Sequence, residues 1–168
     1  NPASVSMEGE SIVYRQDFEP SPLSPLFCAG FGFPDGKVVK REQEGRMPSL
    51  AVSFSDWNVH DIAAAPGERI DYLVRGAHIV TPGKRGETHY FFAAAFDVPD
   101  VSDEVLDQTK TNILDAFNED KDLLQKIQRL VSEDPRGLDF PEINLGADGA
   151  GVRVRQILKR KLDAERSA

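Results

Sequence analysis

The sequence predicts an α+β fold that combines an antiparallel sheet with one long helix and a C-terminal helix. Three observations support this prediction: alternating segments joined by short turns, helical periodicity from about Ser102 to Val131, and a second helical run from Gly151 to about Glu165. Short links between consecutive strands favour an antiparallel meander. We expect one domain over residues 1–168, because 40% hydrophobic content at this length supports a substantial core.

The alternation of apolar and polar residues predicts five strands. They cover residues 5–18, 37–43, 49–62, 70–80 and 87–98. The last strand is apolar on both faces, from Tyr90 to Ala95. We therefore expect it to be central in the sheet and covered on both sides.

The segment 19–36 contains four prolines and three glycines, so a long regular element is not expected there. We interpret it as a surface loop, which is either an ordinary connection or a cover over a pocket. In the long helix that follows later, Ser102 is placed to cap the N-terminus, with Asp103 and Glu104 in the first turn.

The composition excludes several classes of function. The net charge of -8 and a pI near 4.9 argue against a nucleic-acid surface. Cys28 is the only cysteine, which excludes an intrachain disulfide and fits a reducing compartment. No apolar run approaches membrane-span length, so a cytoplasmic protein is expected. The sequence begins at Asn1 rather than Met, and we expect it to be part of a longer protein.

One carboxylate interrupts the apolar stripe of the long helix. Helical spacing aligns Ile113, Phe117, Asp120, Leu124 and Ile127. A carboxylate on a buried face requires an ion pair, a hydrogen bond or a metal ion. The pattern alone leaves a structural salt bridge and a functional role for Asp120 equally open.

The three histidines all fall on predicted strands. His78 shares its strand face with Val74 and Val80, so it is expected to face the core, where either a structural or a functional role is open. His60 lies on a strand whose buried face is ambiguous. His89 is interpreted as structural.

Three motifs in combination identify a family. The stretch around His78 reads HIVTP, the next strand begins THYFF, and the long helix carries the EDK of FNEDKDLLQKIQ. Together with the terminal GVRVRQILKRKL, this text resembles the C-terminal catalytic domain of Rieske non-haem iron oxygenases, in the branch of vanillate O-demethylase and dicamba monooxygenase. The likeness begins near Trp57 and covers about two thirds of the chain.

The resemblance implies a helix-grip (Bet v 1/START-like) fold, in which a curved antiparallel sheet is wrapped around a long helix. In this family, the aspartate of the EDK-like motif is the carboxylate ligand of mononuclear Fe(II), and that position is Asp120. The histidine of HIxTP contacts substrate, which implies His78. A further substrate position falls on His60, where the relative has asparagine, and Ile62 would be a wall of the pocket.

The sequence also departs from the family pattern. It lacks the CxH…CxxH motif of the [2Fe-2S] Rieske cluster and the DxxHxxxxH-like segment that supplies both histidine ligands. We therefore expect the cluster domain and two iron ligands to lie in an N-terminal part outside this sequence.

The function implied by the resemblance is O2-dependent hydroxylation or O-demethylation of an aromatic compound. Electrons would come from NAD(P)H through a separate reductase and, in some systems, a ferredoxin, and the subunit would form a homotrimer. The alternative is a stand-alone helix-grip module that binds a small ligand without a metal.

Overall fold

The computed structural model describes residues 3–84, 86–98, 101–136 and 143–167. The elements in chain order are β1 (Ser4–Glu8), β2 (Ser11–Pro22), α1 (Pro25–Phe31), β3 (Val38–Ser49), β4 (Val52–His60), β5 (Asp71–Pro82), β6 (Thr88–Phe96), α2 (Asp103–Glu133), a 3-10 turn (Gly146–Asp148) and α3 (Gly149–Arg166). No helix among these residues is long and apolar enough to cross a membrane.

The described residues group into two compact units. The first comprises those of Asn1–Leu23, Lys37–Asp97 and Asn144–Ala168, and therefore contains the sheet and α3. The second comprises those of Ser24–Gly36 and Val98–Ile143, and contains α1 and α2. The expectation of a single domain over residues 1–168 stays a prediction.

The sheet is a six-stranded antiparallel meander in the order β1-β2-β3-β4-β5-β6, which confirms the predicted topology. One predicted strand is in fact a hairpin, because the chain turns between β1 and β2 at Gly9, whose φ of 61° suits glycine. β3 is also longer than predicted and continues to Ser49. Its charged residues pair across the strands, as Arg15 does with Glu44, so polarity did not end the strand.

β6 does not have the central position that its apolar sequence predicts. Among the described strands it has one neighbour, β5, and therefore lies at an edge of the sheet. Tyr90 and Phe91 are 44% and 59% exposed. The expectation that β6 is covered on both sides was wrong for the described part of the chain. Apolar composition favours burial of a strand, but it does not determine which elements pack against it.

The segment predicted to be an irregular loop contains the short helix α1. Pro25 occupies the first turn, where its missing N–H breaks no helical hydrogen bond. Gly32 ends the helix with a φ of 71°, and its N–H donates to the Ala29 carbonyl. Pro25 and Gly32 therefore mark the two ends of a short helix within this segment.

The two predicted longer helices are present. Ser102 caps α2, and its Oγ accepts a hydrogen bond of 3.3 Å from the Val105 N–H. The Asp134 N–H donates to the Leu130 carbonyl at the C-terminal end. α3 begins at Gly149, two residues before the predicted start, and packs against β2 within the first unit.

A buried ion pair joins the start of β3 to the end of β4. Lys37 Nζ lies 2.7 Å from Asp61 Oδ2, and the side-chain exposures are 21% and 7%. Asp61 also accepts a hydrogen bond from the Ala63 N–H, and its own N–H donates to the Ile70 carbonyl. Burial raises the pKa of the Asp61 carboxyl, but the hydrogen bonds from Lys37 and Ala63 outweigh it and hold that pKa below its usual value.

We expect Lys37→Met to lower the free energy of unfolding by about 2 kcal/mol, because Asp61 would keep a buried charge without its cation. Lys37 is partly exposed, so the loss is smaller than for a fully buried pair. Chemical denaturation at pH 7 measures it.

The double variant Lys37→Met/Asp61→Asn is the control, and it should recover part of the lost stability because no unpaired charge remains. The pKa of Asp61 is lowered on folding. The ionised carboxylate therefore stabilises the fold above about pH 4, and this stabilisation is lost as the pH falls through the pKa of Asp61 in the folded protein. Equal stability of Lys37→Met and the wild type at pH 7 would show that the pair does not stabilise the fold.

Candidate functional site

The strand register places His78 on one defined face of the sheet. His78 is opposite Ser53 on β4 and opposite Phe92 on β6, and residues directly opposite each other in an antiparallel pair share a face. His78 Nδ1 lies 2.6 Å from Tyr90 Oη. The two rings are also stacked, with centroids 6.0 Å apart. The hydrogen bond and the stacking together fix the orientation of the imidazole.

We call this surface the His78 face, and it is lined by aromatic and small polar side chains. By register it includes Tyr14, Phe18, Gly45, Ser53, Ser55, Trp57, Gly76, His78, Tyr90 and Phe92, together with the larger polar residues Gln16, Arg41 and Gln43. Phe18 and Trp57 are stacked with centroids 5.5 Å apart. A Cβ built on Gly76 would lie 2.7 Å from Ser55 Oγ and 3.2 Å from His78 Nε2. Glycine at position 76 therefore lets these two polar atoms approach the same point.

Burial lowers the pKa of the His78 imidazole. The side chain is half-buried, and an apolar environment disfavours its charged form. His78 is accordingly neutral at pH 7, with one ring nitrogen able to donate and the other able to accept. The chemistry available on this face is hydrogen bonding to a polar group beside aromatic packing surfaces.

His60 lies on the opposite face of the sheet. It is opposite Lys40 on β3 and Asp71 on β5, and its neighbours on β4 along that face include Asp56, which pairs with Arg75. His60 Nδ1 is 2.6 Å from Asp71 Oδ1, and Nε2 is 3.8 Å from Glu42 Oε1, which is an ion-pair distance but too long for a hydrogen bond. A pocket on the His78 face would not receive this side chain.

Ile62 lies beyond β4, in the turn that leads to β5, and is 55% exposed. The strand alternation that would give it the same face as His60 has ended at this point. Of the three predicted substrate contacts, the sheet therefore brings only His78 together with a polar and aromatic surface.

Asp120 lies in the second half of α2 and is exposed, which differs from the buried position inferred from the apolar stripe. Partial or full burial along α2 follows Val105, Thr109, Ile113 and Phe117, and α1 packs on this helix. Beyond Phe117, Leu123, Leu124, Ile127 and Leu130 are 45–68% exposed, while Val131 near the end of the helix is partly buried.

Within the described ranges, Asp120 forms no ion pair. The salt bridge considered from the sequence is therefore not formed in this part of the chain. Helical periodicity correctly aligned Asp120 with apolar residues, but it could not show what covers them.

The described residues fit one contribution to an iron site but not a complete site. No group of three or more His, Cys, Asp or Glu side chains among them is arranged to hold a metal ion. Asp120 is an exposed carboxylate, which suits a single oxygen donor. A Rieske cluster needs two cysteines and two histidines, and the sequence has one cysteine, Cys28, which is buried. These residues do not fit the cluster.

Comparison with known proteins identifies the family. The model of the vanillate O-demethylase oxygenase C-terminal domain matches residues 1–164. The chain belongs to this family. The oxygenase component of chloroacetanilide N-alkylformylase from Rhizorhabdus wittichii (strain DC-6 / KACC 16600) is 35% identical over 106 residues, which are 62% of this chain and 30% of that protein.

A second relative of this vanillate O-demethylase family chain is the putative toluene-4-sulfonate monooxygenase system iron-sulfur subunit of Comamonas testosteroni. It is 31% identical over 105 residues, 61% of this chain and 29% of that protein. The chain therefore spans less than a third of the curated relatives' length.

Solved structures with the same fold include dicamba monooxygenase bound to 3,6 dichlorosalicylic acid. Its TM-score is 0.79 at 19% identity, and the match covers 99% of this chain and 48% of that one. Apo dicamba monooxygenase gives a TM-score of 0.73 at 21% identity, covering 98% and 51%. These similarities establish the helix-grip α+β fold.

Tyr90, Ser55 and Gly76 were not predicted from the sequence to be site residues. Tyr90 was noted only as part of an apolar strand. The short link at Thr81-Pro82-Gly83-Lys84 was a usable signal, because a tight hairpin there sets β5 against β6 and places Tyr90 diagonally from His78. The position of Ser55 opposite Gly76 depends on the register between β4 and β5. That register could not be predicted from the length of the longer connection between the two strands.

We expect the stability of the wild-type protein to fall as the pH drops below about 6.5, because the unfolded chain takes up a proton at His78 more readily than the folded protein does. The variant His78→Gln should lose this part of the pH dependence. Denaturation midpoints between pH 5 and pH 8 measure it.

The matched control is His89→Gln, which removes an exposed histidine of the neighbouring strand and should keep the wild-type pH dependence. Tyr90→Phe removes the hydroxyl partner of His78 and should cost about 1 kcal/mol at pH 7. If the denaturation midpoints of His78→Gln change with pH in the same way as those of the wild type, His78 is not the cause of the lower stability at low pH.

Proposed function

We propose that this chain is the catalytic-domain portion of the terminal oxygenase subunit of a Rieske non-haem iron monooxygenase. The observation that carries the proposal is the family match over residues 1–164. The shared fold with dicamba monooxygenase over 99% of the chain supports it, as do two curated relatives that are named as oxygenase-system subunits.

The proposed substrate is an aromatic compound with a polar or acidic substituent. The names of the relatives and solved structures refer to a chloroacetanilide, toluene-4-sulfonate and dicamba, and each of these compounds contains an aromatic ring with such a substituent. The His78 face offers matching chemistry, because aromatic side chains lie beside a neutral imidazole and serine hydroxyl groups.

The proposed reaction is O2-dependent hydroxylation of the ring or of an alkyl group. Two electrons and two protons are consumed, one oxygen atom enters the substrate, and the other becomes water. Hydroxylation of an O-methyl group gives a hemiacetal, which breaks its C–O bond to release formaldehyde and leave the hydroxyl product. This balance links hydroxylation and O-demethylation as outcomes of one chemistry.

We propose that Asp120 is the carboxylate ligand of the mononuclear iron. Its exposure and the absence of an ion pair in the described part of the chain support this role. The other two ligands, expected to be histidines, would come from outside the described residues, and so would the Rieske cluster.

We propose that His78 orients the substrate by a hydrogen bond, with Tyr90 holding the imidazole in position. His60 and Ile62 were also predicted to contact substrate. Because His60 points to the other face and pairs with Asp71 and Glu42, we propose instead that it links β3, β4 and β5. Ile62 then has no assigned part in the pocket.

The proposed whole enzyme receives electrons from NAD(P)H through a separate reductase, with or without an intervening ferredoxin. We propose a cytoplasmic homotrimer, as the family resemblance implies.

The ligand role of Asp120 is tested in the complete natural subunit by Asp120→Ala and Asp120→Asn. Mononuclear iron content should fall at least about tenfold, because a neutral or missing side chain does not replace an anionic ligand. Metal analysis measures total iron, and the visible absorption of the cluster reports cluster iron separately.

The matched control is Asp122→Asn, two residues along the same helix, which should keep its iron. Full mononuclear iron in Asp120→Ala would remove Asp120 from the ligand set. If the complete wild-type subunit binds no iron at all, the alternative of a helix-grip module that binds a small ligand without metal is favoured.

A further inference from the structure

Helix α3 differs in charge from the rest of the chain. It carries six basic residues against two acidic ones, a net charge of +4, whereas the remainder carries -12 of the total of -8. Lys159, Arg160 and Lys161 are consecutive and exposed. None of them takes part in the ion pairs found among the described residues. Three adjacent cations therefore have no ion-pair partner in the part of the chain that the structure describes.

A groove runs between α3 and the β1–β2 hairpin, within the first unit. It consists of two adjoining cavities of about 400 Å³ and about 730 Å³, which share Met7, Gly9, Ile157 and Arg160. The smaller cavity is also lined by Ile12, Met47, Leu50 and Val154, which are apolar. We call this feature the α3 groove.

The rim of the α3 groove is mainly cationic. Lys161 lines the smaller cavity, while Arg153 and Lys159 line the larger one. Two acidic residues, Glu10 and Asp163, also contribute to the lining. The surface therefore combines an apolar floor with an excess of positive charge, which suits an acidic protein surface that presents an apolar side chain.

The proposed reaction requires such a partner, since each turnover consumes two electrons that must come from outside the oxygenase. A carrier that docks and leaves during each cycle needs a small, charge-steered interface. Pairing of α3 with α3 of a second copy would bring like charges together, and the overall charge of -8 disfavours a nucleic acid.

We propose that the α3 groove is the docking surface for an acidic electron-donor protein. Lys159, Arg160 and Lys161 pair with carboxylates of the donor, and an apolar donor side chain enters between Met7 and Ile157. This inference rests on the proposed oxygenase function and adds the location and charge of its partner surface.

The test uses the complete oxygenase subunit and the purified reductase component of the same enzyme system. Lys159→Glu/Arg160→Glu should raise the dissociation constant for the oxidised reductase at least about tenfold at low salt. High salt should reduce the difference between the variant and the wild type. Titration of fluorescently labelled reductase measures both. The KM for the reductase should rise in parallel, with turnover driven by a chemical reductant unchanged within about twofold.

The matched control is Lys84→Glu/Lys110→Glu, which changes the net charge by the same amount at residues that do not belong to α3 or line the α3 groove, and it should bind the reductase like the wild type. Equal weakening in both variants would overturn the inference, because it would show an effect of total charge. Unchanged affinity in Lys159→Glu/Arg160→Glu would overturn it as well, and a change in oligomeric state alone would assign the groove to a second copy.

The two proposals fail in distinguishable ways. If Lys159→Glu/Arg160→Glu shows normal turnover with the chemical reductant and an unaltered KM for the reductase, only the docking surface is contradicted. Absence of turnover with either electron source in the wild type would overturn the proposed function, and the docking inference with it.

Discussion

The register of the six-stranded sheet is the constraint on which the candidate site depends. Side chains alternate between faces with a period of two, so a shift of one residue would exchange the two surfaces. With the register observed, one face collects stacked aromatic rings, small polar residues and the His78–Tyr90 pair. The other carries ion pairs such as Arg75–Asp56. The sheet therefore separates a surface of aromatic and hydrogen-bonding side chains from a surface of ion pairs between strands.

The buried Lys37–Asp61 pair has a different role, because it ties the start of β3 to the turn after β4. Asp61 also holds that turn through the Ala63 N–H and the Ile70 carbonyl. Lys37 precedes β3 and Asp61 follows β4, so the pair lies at the strand ends. This arrangement lets the strand ends be fixed by charge while the faces remain available for packing and binding.

The sequence predicted the meander and both longer helices because each depends on local signals. Ser102 caps its helix through a side chain three residues from its partner N–H, and turn residues separate the strands. The face of His60 was not predictable in the same way, since the polar and apolar residues of its strand follow no clean alternation. Only the pairing with Asp71 and Lys40 decides it. The exposure of Asp120 likewise depends on contacts far along the chain, and helical periodicity carries no information about them.

The edge position of β6 has a consequence for work with this segment by itself. An edge strand presents unpaired backbone N–H and C=O groups, and β6 adds exposed aromatic side chains, with Phe91 59% exposed. Proteins usually protect such edges with charges, prolines or bulges, and Thr88–Phe96 holds no charged Lys, Arg, Asp or Glu and no proline. In isolation this strand is a template for intermolecular sheet growth, so aggregation would compete with folding at the concentrations used for purification.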